Sequence, residues 1–285
     1  MYRKMAAGTF VPPDRINQLL RRSIMMLRTY LVSMGLLLFA ASCSDNNDDT
    51  KPAPEPEDST VVIETGVYTL ANVAADTAAT SSAAAKPFYY SLEDQRVVPA
   101  SQVQTSNWDI VFTGTYNSSI YANNGTAQYS PGYGGPGKGG IYMVIDQQID
   151  AGYYGGAGQV LKSIPARSLF DTAFARVKTV PVNDNEFKTN ESIGLDYFSG
   201  SSSGWAYYDF YGTMFPDQPY DSVTHVCYNM PRTLVVRTAK GNYAKLIIYS
   251  IYKGAPEKPT RSYRPGFITF KYAIQKDGSK NLNIQ

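Results

Sequence analysis

Beyond about residue 60, apolar and polar positions alternate with a period of two, the spacing of strands with one buried face. Val61–Leu70 (VVIETGVYTL) reads as a first strand, and Phe88–Leu92 and Trp108–Phe112 (WDIVF) are aromatic and β-branched runs bounded by Asp, Asn and Pro. Ile141–Ile145, Trp205–Phe210, Arg232–Thr238, Tyr243–Tyr252 and Gly266–Ile274 read the same way, with Ile268, Phe270, Tyr272 and Ile274 on one face of the last. Arg232–Thr238 and Tyr243–Tyr252 are joined by Ala239-Lys240-Gly241-Asn242, a hairpin turn whose glycine can take positive φ. Val223–Tyr228 alternates too, which predicts Val223, His225 and Cys227 on a shared strand face.

The segments between these strands are richer in Gly, Pro and small polar residues. Asn72–Ala85 reads as an exposed loop or one short helix, and Val160–Lys178 as a short helix or a strand. Tyr116–Gly140, Gly152–Gly158 and Tyr211–Tyr220 read as loops, the last because of its two prolines, and Asn183–Ser203 is a polar stretch. No stretch after the leader keeps a helical period. The pattern predicts an all-β domain over residues 61–285, two antiparallel sheets packed together.

The first sixty residues follow a different pattern. Tyr30–Ala41 is an apolar run behind Arg21, Arg22 and Arg28. It is shorter than the roughly 20 residues a spanning helix needs and has the length of a signal-peptide core. Ala40-Ala41-Ser42-Cys43 then places a cysteine directly after small residues, the form of a bacterial lipoprotein signal over 1–42 with Cys43 as the acylated residue. Met25 or Met26 is an alternative start. Residues 43–60, acidic and proline-rich, read as an extended tether, and seventeen residues (44–60) reach about 50 Å when stretched. The acidic run after Cys43 resembles the export tag of surface lipoproteins, which predicts an outer-membrane, lipid-anchored protein facing the exterior.

Charge changes the picture once the leader is set aside. Of 26 basic and 24 acidic residues, six and one lie in residues 1–43, so +2 becomes 20 against 23, or −3. Residues 230–285 nevertheless hold 11 Lys/Arg against 2 Asp/Glu. The basic residues alternate with strand residues and form no stripe, so nucleic acid is not the expected partner. A solvated sheet face that meets anionic ligand groups is.

The chemistry concentrates in Gly204–Lys245, which holds the single histidine, His225, and Cys227. With Cys43 acylated, Cys227 has no partner for a disulfide. No GxSxG or HExxH is present, and the chain reads as non-enzymatic. One His and one Cys do not fill a tetrahedral metal site. Haem asks less, because its porphyrin supplies four nitrogens and the protein only one or two axial ligands; His225 and Met214 are the candidate donors.

Several pieces together resemble the HmuY-like family of haem-binding outer-membrane lipoproteins of Bacteroidota. They are Trp108–Phe112, Gly137-Lys138-Gly139-Gly140, Gly204-Trp205, Arg232–Leu246 (RTLVVRTAKGNYAKL) and Gly266–Tyr272 (GFITFKY). The resemblance implies a hand-like all-β fold, haem as cofactor and a role in iron acquisition. It also implies uptake of haem from host haemoproteins and delivery to a TonB-dependent outer-membrane receptor. In that family one iron ligand precedes the Gly-Trp pair and one follows it. Here Asn183–Ser203 offers neither His nor Met, only Tyr197, while Met214 and His225 both follow Trp205. A glycan-binding or other surface module on the same fold is the alternative, suggested by the Tyr/Asn/Gly loops at 116–140 and 152–158.

Overall fold

The computed structural model describes residues 64–78, 84–155, 161–197 and 204–285. The leader, Cys43 and the tether lie outside them. The chain divides into two units, and the second, Asp58–Gln285, is described by itself.

Twelve strands form three sheets among the described residues. The first has five: β1 (Gly66–Ala74), β12 (Pro265–Gln275), β11 (Tyr243–Tyr252), β10 (Thr233–Arg237) and β6 (Gly140–Val144), hydrogen-bonded in that order and all antiparallel. The second has four, ordered β3 (Arg96–Val98), β2 (Ala84–Ser91), β4 (Ile110–Thr115) and β5 (Ser119–Ala122). A third joins β7 (Leu195–Tyr197), β8 (Ala206–Asp209) and β9 (Val226–Asn229). The expected all-β, antiparallel architecture is what the two larger sheets form; the small third sheet adds one parallel pairing, β7 with β8. Gly204 permits the pairing: a Cβ there would lie 2.2 Å from the Asp196 nitrogen and 2.3 Å from the Leu195 carbonyl carbon, inside any contact distance.

The first two sheets face one another through aromatic rings. Tyr90 meets Phe270 edge-on at 5.4 Å, and Phe112 meets it at 6.0 Å. Ile268, Phe270, Tyr272 and Ile274 all point into this core, each fully buried, as their alternation predicts. The other face of β11 is covered as well, by a helix, which explains its nearly unbroken hydrophobic run.

That helix, α2 (Arg167–Arg176), resolves the ambiguity of Val160–Lys178. It buries only Phe170, Ala173 and Phe174, an i, i+3, i+4 set too short to show as a period. An earlier helix, α1 (Gln147–Tyr153), is started by the Asp146 carboxylate, which accepts from the amides of Gln148 and Ile149. It occupies the beginning of what reads as the Gly152–Gly158 turn, of which residues 156–158 lie outside the described residues. A single helical turn, α3 (Tyr220–Val223), follows the proline-rich loop. In the Asn72–Ala85 stretch the described residues are mostly strand: β1 runs to Ala74 and β2 starts at Ala84.

The sequence motifs meet at buried polar junctions. Asp109 accepts from the amides of Leu92 (2.7 Å) and Glu93 (3.0 Å) on one side and Ala239 (2.9 Å) on the other, tying the WDIVF strand to the β10–β11 hairpin. Burial, the largest influence, pushes this carboxyl up to about 6. Beside it Glu93 accepts from Thr238 Oγ1 and Asn242 Nδ2. At the far end of β10, buried Arg232 pairs with Asp150 of α1 at 2.7 Å, stacks on Tyr154 and donates to the Gly204 carbonyl.

Candidate functional site

Strands β8 and β9 form a ribbon whose connection, Phe210–His225, carries both candidate iron ligands. Asp209, at the end of β8, folds the chain back. Its carboxylate accepts from the Thr213 amide (2.8 Å), the Thr213 hydroxyl (3.0 Å) and the Met214 amide (2.8 Å). Met214 is thus fixed by its backbone, and its half-buried side chain packs against the main core. It is not part of the wall of any cavity described below.

His225 stands between α3 and β9 with φ +59°, the left-handed region, and its amide donates to the Asp209 carbonyl at 2.8 Å. This turn breaks the alternation expected over Val223–Tyr228. The strand begins at Val226, so the expected shared face of His225 and Cys227 is corrected: half-buried His225 stands at the corner while Cys227 is fully enclosed. Burial pushes the Cys227 thiol up to about 12, and its amide is held by the Tyr252 hydroxyl at 2.9 Å. The thiol is therefore a small apolar core group and not a nucleophile.

The imidazole of His225 is placed by aromatic residues. Nδ1 lies 2.8 Å from the Tyr208 hydroxyl, and the ring meets Phe210 edge-on at 4.6 Å. Nε2 has no hydrogen-bond partner among the described residues. Burial, and then the nearby Arg261 guanidinium, hold the imidazole below its ordinary pKa, so it is neutral at neutral pH. In the tautomer with Nδ1–H donating to the Tyr208 oxygen, Nε2 carries a free lone pair, the form a metal ligand needs.

Tyr208 and Phe210 also wall an open cleft of about 520 Å³, with Thr115, Ser118 and Ser119 of the β4–β5 turn and Gly194-Leu195 at the head of β7. That volume lies within the ~300–1,000 Å³ of small-molecule sites. His225 is one contact behind this wall. The Ser118 carbonyl accepts from Trp205 Nε1 at 2.7 Å, so the Gly-Trp pair fixes the turn that forms the cleft's far side. A second cavity of about 200 Å³ shares Gly194 and Leu195 and is lined by Tyr142, Met143, Glu186 and Lys188.

His225 thus adjoins the cleft and Met214 does not line it. Tyr197 falls in β7; residues 198–203 lie outside the described residues. The cleft residues Leu195, Tyr208, Phe210 and Ser118 carry no sequence signal, because only the parallel pairing of β7 and β8 brings them together. Among the described residues no group of three or more His, Cys, Asp or Glu is placed to hold a metal ion.

No family model matches the chain, and no curated protein does. Solved structures do. A candidate HmuY-like haem-binding protein from Bacteroides vulgatus is 13% identical, with 75% of this chain and 96% of that chain covered and a TM-score of 0.34. A candidate lipoprotein from Bacteroides fragilis is 12% identical over 75% of this chain and 95% of its own, TM-score 0.33. The apo form of a Tannerella forsythia HmuY analogue is 12% identical over 76% and 99%, TM-score 0.31. The fold described above rests on the strand pairings of this chain itself.

Proposed function

We propose that the chain is a surface lipoprotein, lipid-anchored at Cys43, whose β body binds haem in the cleft between β7–β8 and the β4–β5 turn. The observation that carries this reading is the pairing of a 520 Å³ cleft walled by Tyr208 and Phe210 with a neutral imidazole held by the same two residues. Haem, when bound, would supply an iron that accepts a nitrogen lone pair. In this chain Tyr208 orients the His225 ring, and Leu195 and Phe210 give the cleft apolar wall. Phe210, 37% exposed, lines the cleft and touches the imidazole, so it would have to turn aside for His225 to reach a ligand there. Met214 remains the alternative donor, on a turn held by Asp209. Uptake from host haemoproteins and delivery to a TonB-dependent receptor at the outer membrane belong to the same proposal, as does a non-enzymatic role.

The cleft is tested by filling it. Quenching of tryptophan fluorescence by hemin should saturate for the Asp58–Gln285 body. In Ser119→Trp the new indole occupies the cleft, and binding should fall at least tenfold with the melting temperature kept. Unchanged binding in that variant places hemin elsewhere and contradicts the assignment.

A glycan-binding reading has one observation of its own: Tyr129 and Tyr133 of the Gly-rich loop are 69% and 52% exposed. A glycan array with no hits, or hits unaffected by Tyr129→Ala/Tyr133→Ala, counts against it.

A further inference from the structure

The basic surplus of residues 230–285 divides cleanly in three dimensions. Six of its eleven cations meet carboxylates from earlier in the chain: Arg232, Arg237, Lys240, Lys271, Lys276 and Lys280 pair with Asp150, Asp184, Asp94, Asp171, Glu93 and Asp184. A seventh, buried Lys245, donates to the carbonyls of Phe174 (3.0 Å) and Val177 (2.7 Å) at the end of α2. The remaining four, Lys253, Lys258, Arg261 and Arg264, all fall between β11 and β12, all exposed, with no carboxylate partner among the described residues. The one acid of that loop, Glu257, shares a small recess with Arg167 and acts on that guanidinium. Asp221, on α3, is the acid of the adjoining turn.

The loop is built to hold these charges outward. Lys253 and Arg264 flank the Phe267 ring at 5.7 and 5.9 Å, and Arg264 donates to the Thr77 carbonyl. Arg261 donates from its backbone to the Ser222 carbonyl and from Nη1 to Thr224 Oγ1. These acceptors are neutral, so they orient the cations without cancelling them. Two exposed tyrosines are interleaved: Tyr263 in the loop (40% exposed) and Tyr220 (61%) on the turn that Arg261 grips. Cations on long stems with amphipathic rings between them are the composition that seats at headgroup level in a membrane interface.

We propose that the β11–β12 loop is a docking surface for the phosphate headgroups of an anionic lipid leaflet. This rests on the lipoprotein reading proposed above, in which a tether from an acylated Cys43 makes a leaflet the nearest extended anionic surface. A twelve-residue loop also suits headgroup contact better than the ~800 Å² per side of a stable protein interface. Each cation near an anionic leaflet is worth about fivefold in binding, so four give two to three orders of magnitude.

The test is flotation of the lipid-free Asp58–Gln285 body with vesicles of phosphatidylcholine alone or mixed equally with phosphatidylglycerol. Binding to the mixed vesicles only, weakened by salt, is expected. It should be lost in Lys253→Gln/Lys258→Gln/Arg261→Gln/Arg264→Gln and reduced in Tyr263→Ser. A control with the same change in charge, Lys86→Gln/Lys138→Gln/Lys162→Gln/Lys178→Gln, should bind as wild type. Equal loss in the control shows that net charge and not this loop is responsible, and overturns the proposal. Absence of binding to the mixed vesicles also overturns it and leaves an acidic protein as the loop's partner.

Discussion

His225 combines a backbone role and a side-chain role, and the two separate experimentally. Its left-handed backbone costs a non-glycine residue about 1–2 kcal/mol, while its ring is the group next to the cleft. His225→Gly should therefore melt at or slightly above the wild-type temperature yet bind hemin weakly. His225→Val, β-branched at the same φ, should be destabilised by about 1–2 kcal/mol in urea unfolding. Loss of stability in the glycine variant would mean that the imidazole contacts, and not the turn, hold this corner.

Lys245 offers a second residue-scale test. Burial, then the neighbouring Lys271, lowers its ammonium to about 8. The unfolded chain holds that proton up to about 10.4, so between those values the unfolded state binds more protons and stability rises with pH. Urea unfolding of wild type and Lys245→Met across this range should show the wild type gaining on the variant from pH 8 upward. The gain should be of the order of 3 kcal/mol at most. A constant difference would mean that the lysine keeps its ordinary pKa in the fold.

At the scale of elements, the junction at Asp109 joins parts distant in sequence, the β2 turn, β4 and the β10–β11 hairpin. Asp109→Asn keeps one acceptor oxygen but turns an amide nitrogen toward the donors it replaces. It should cost about 2–4 kcal/mol in urea unfolding, and an effect below 1 kcal/mol would show that the hairpin is held by its apolar contacts alone. The motif pieces WDIVF and RTLVVRTAKGNYAK are thus scaffold: Trp108 and Asp109 are fully buried, and Lys245 caps a helix. They position the cleft without touching it.

Over the whole molecule, the strands that were legible are those with long alternating runs. Tyr243–Tyr252 is β11 to the residue, and the Gly241 turn has φ +98°. What stayed hidden depends on contacts between distant segments. The three-residue β7 exists because Gly204 lets it lie against β8, and α2 owes its place to Phe170 and Phe174 packing on β11. For the candidate site, His225 and Met214 stood out by residue type, but their settings did not. One left-handed residue moved the imidazole off the face of Cys227, and the Asp209 turn tied Met214 back. The cationic loop was equally concealed, since counting charges does not reveal which of eleven are already paired.

The central claim, that this body takes haem with His225 beside the iron, is tested most directly by titrating hemin into the Asp58–Gln285 body and into its His225→Ala and Met214→Ala variants while recording the Soret band. The account predicts a saturable, shifted band in the wild type at neutral pH, kept in Met214→Ala and altered or lost in His225→Ala. A wild-type spectrum indistinguishable from that of free hemin, or a band unchanged by removal of the imidazole, would contradict it.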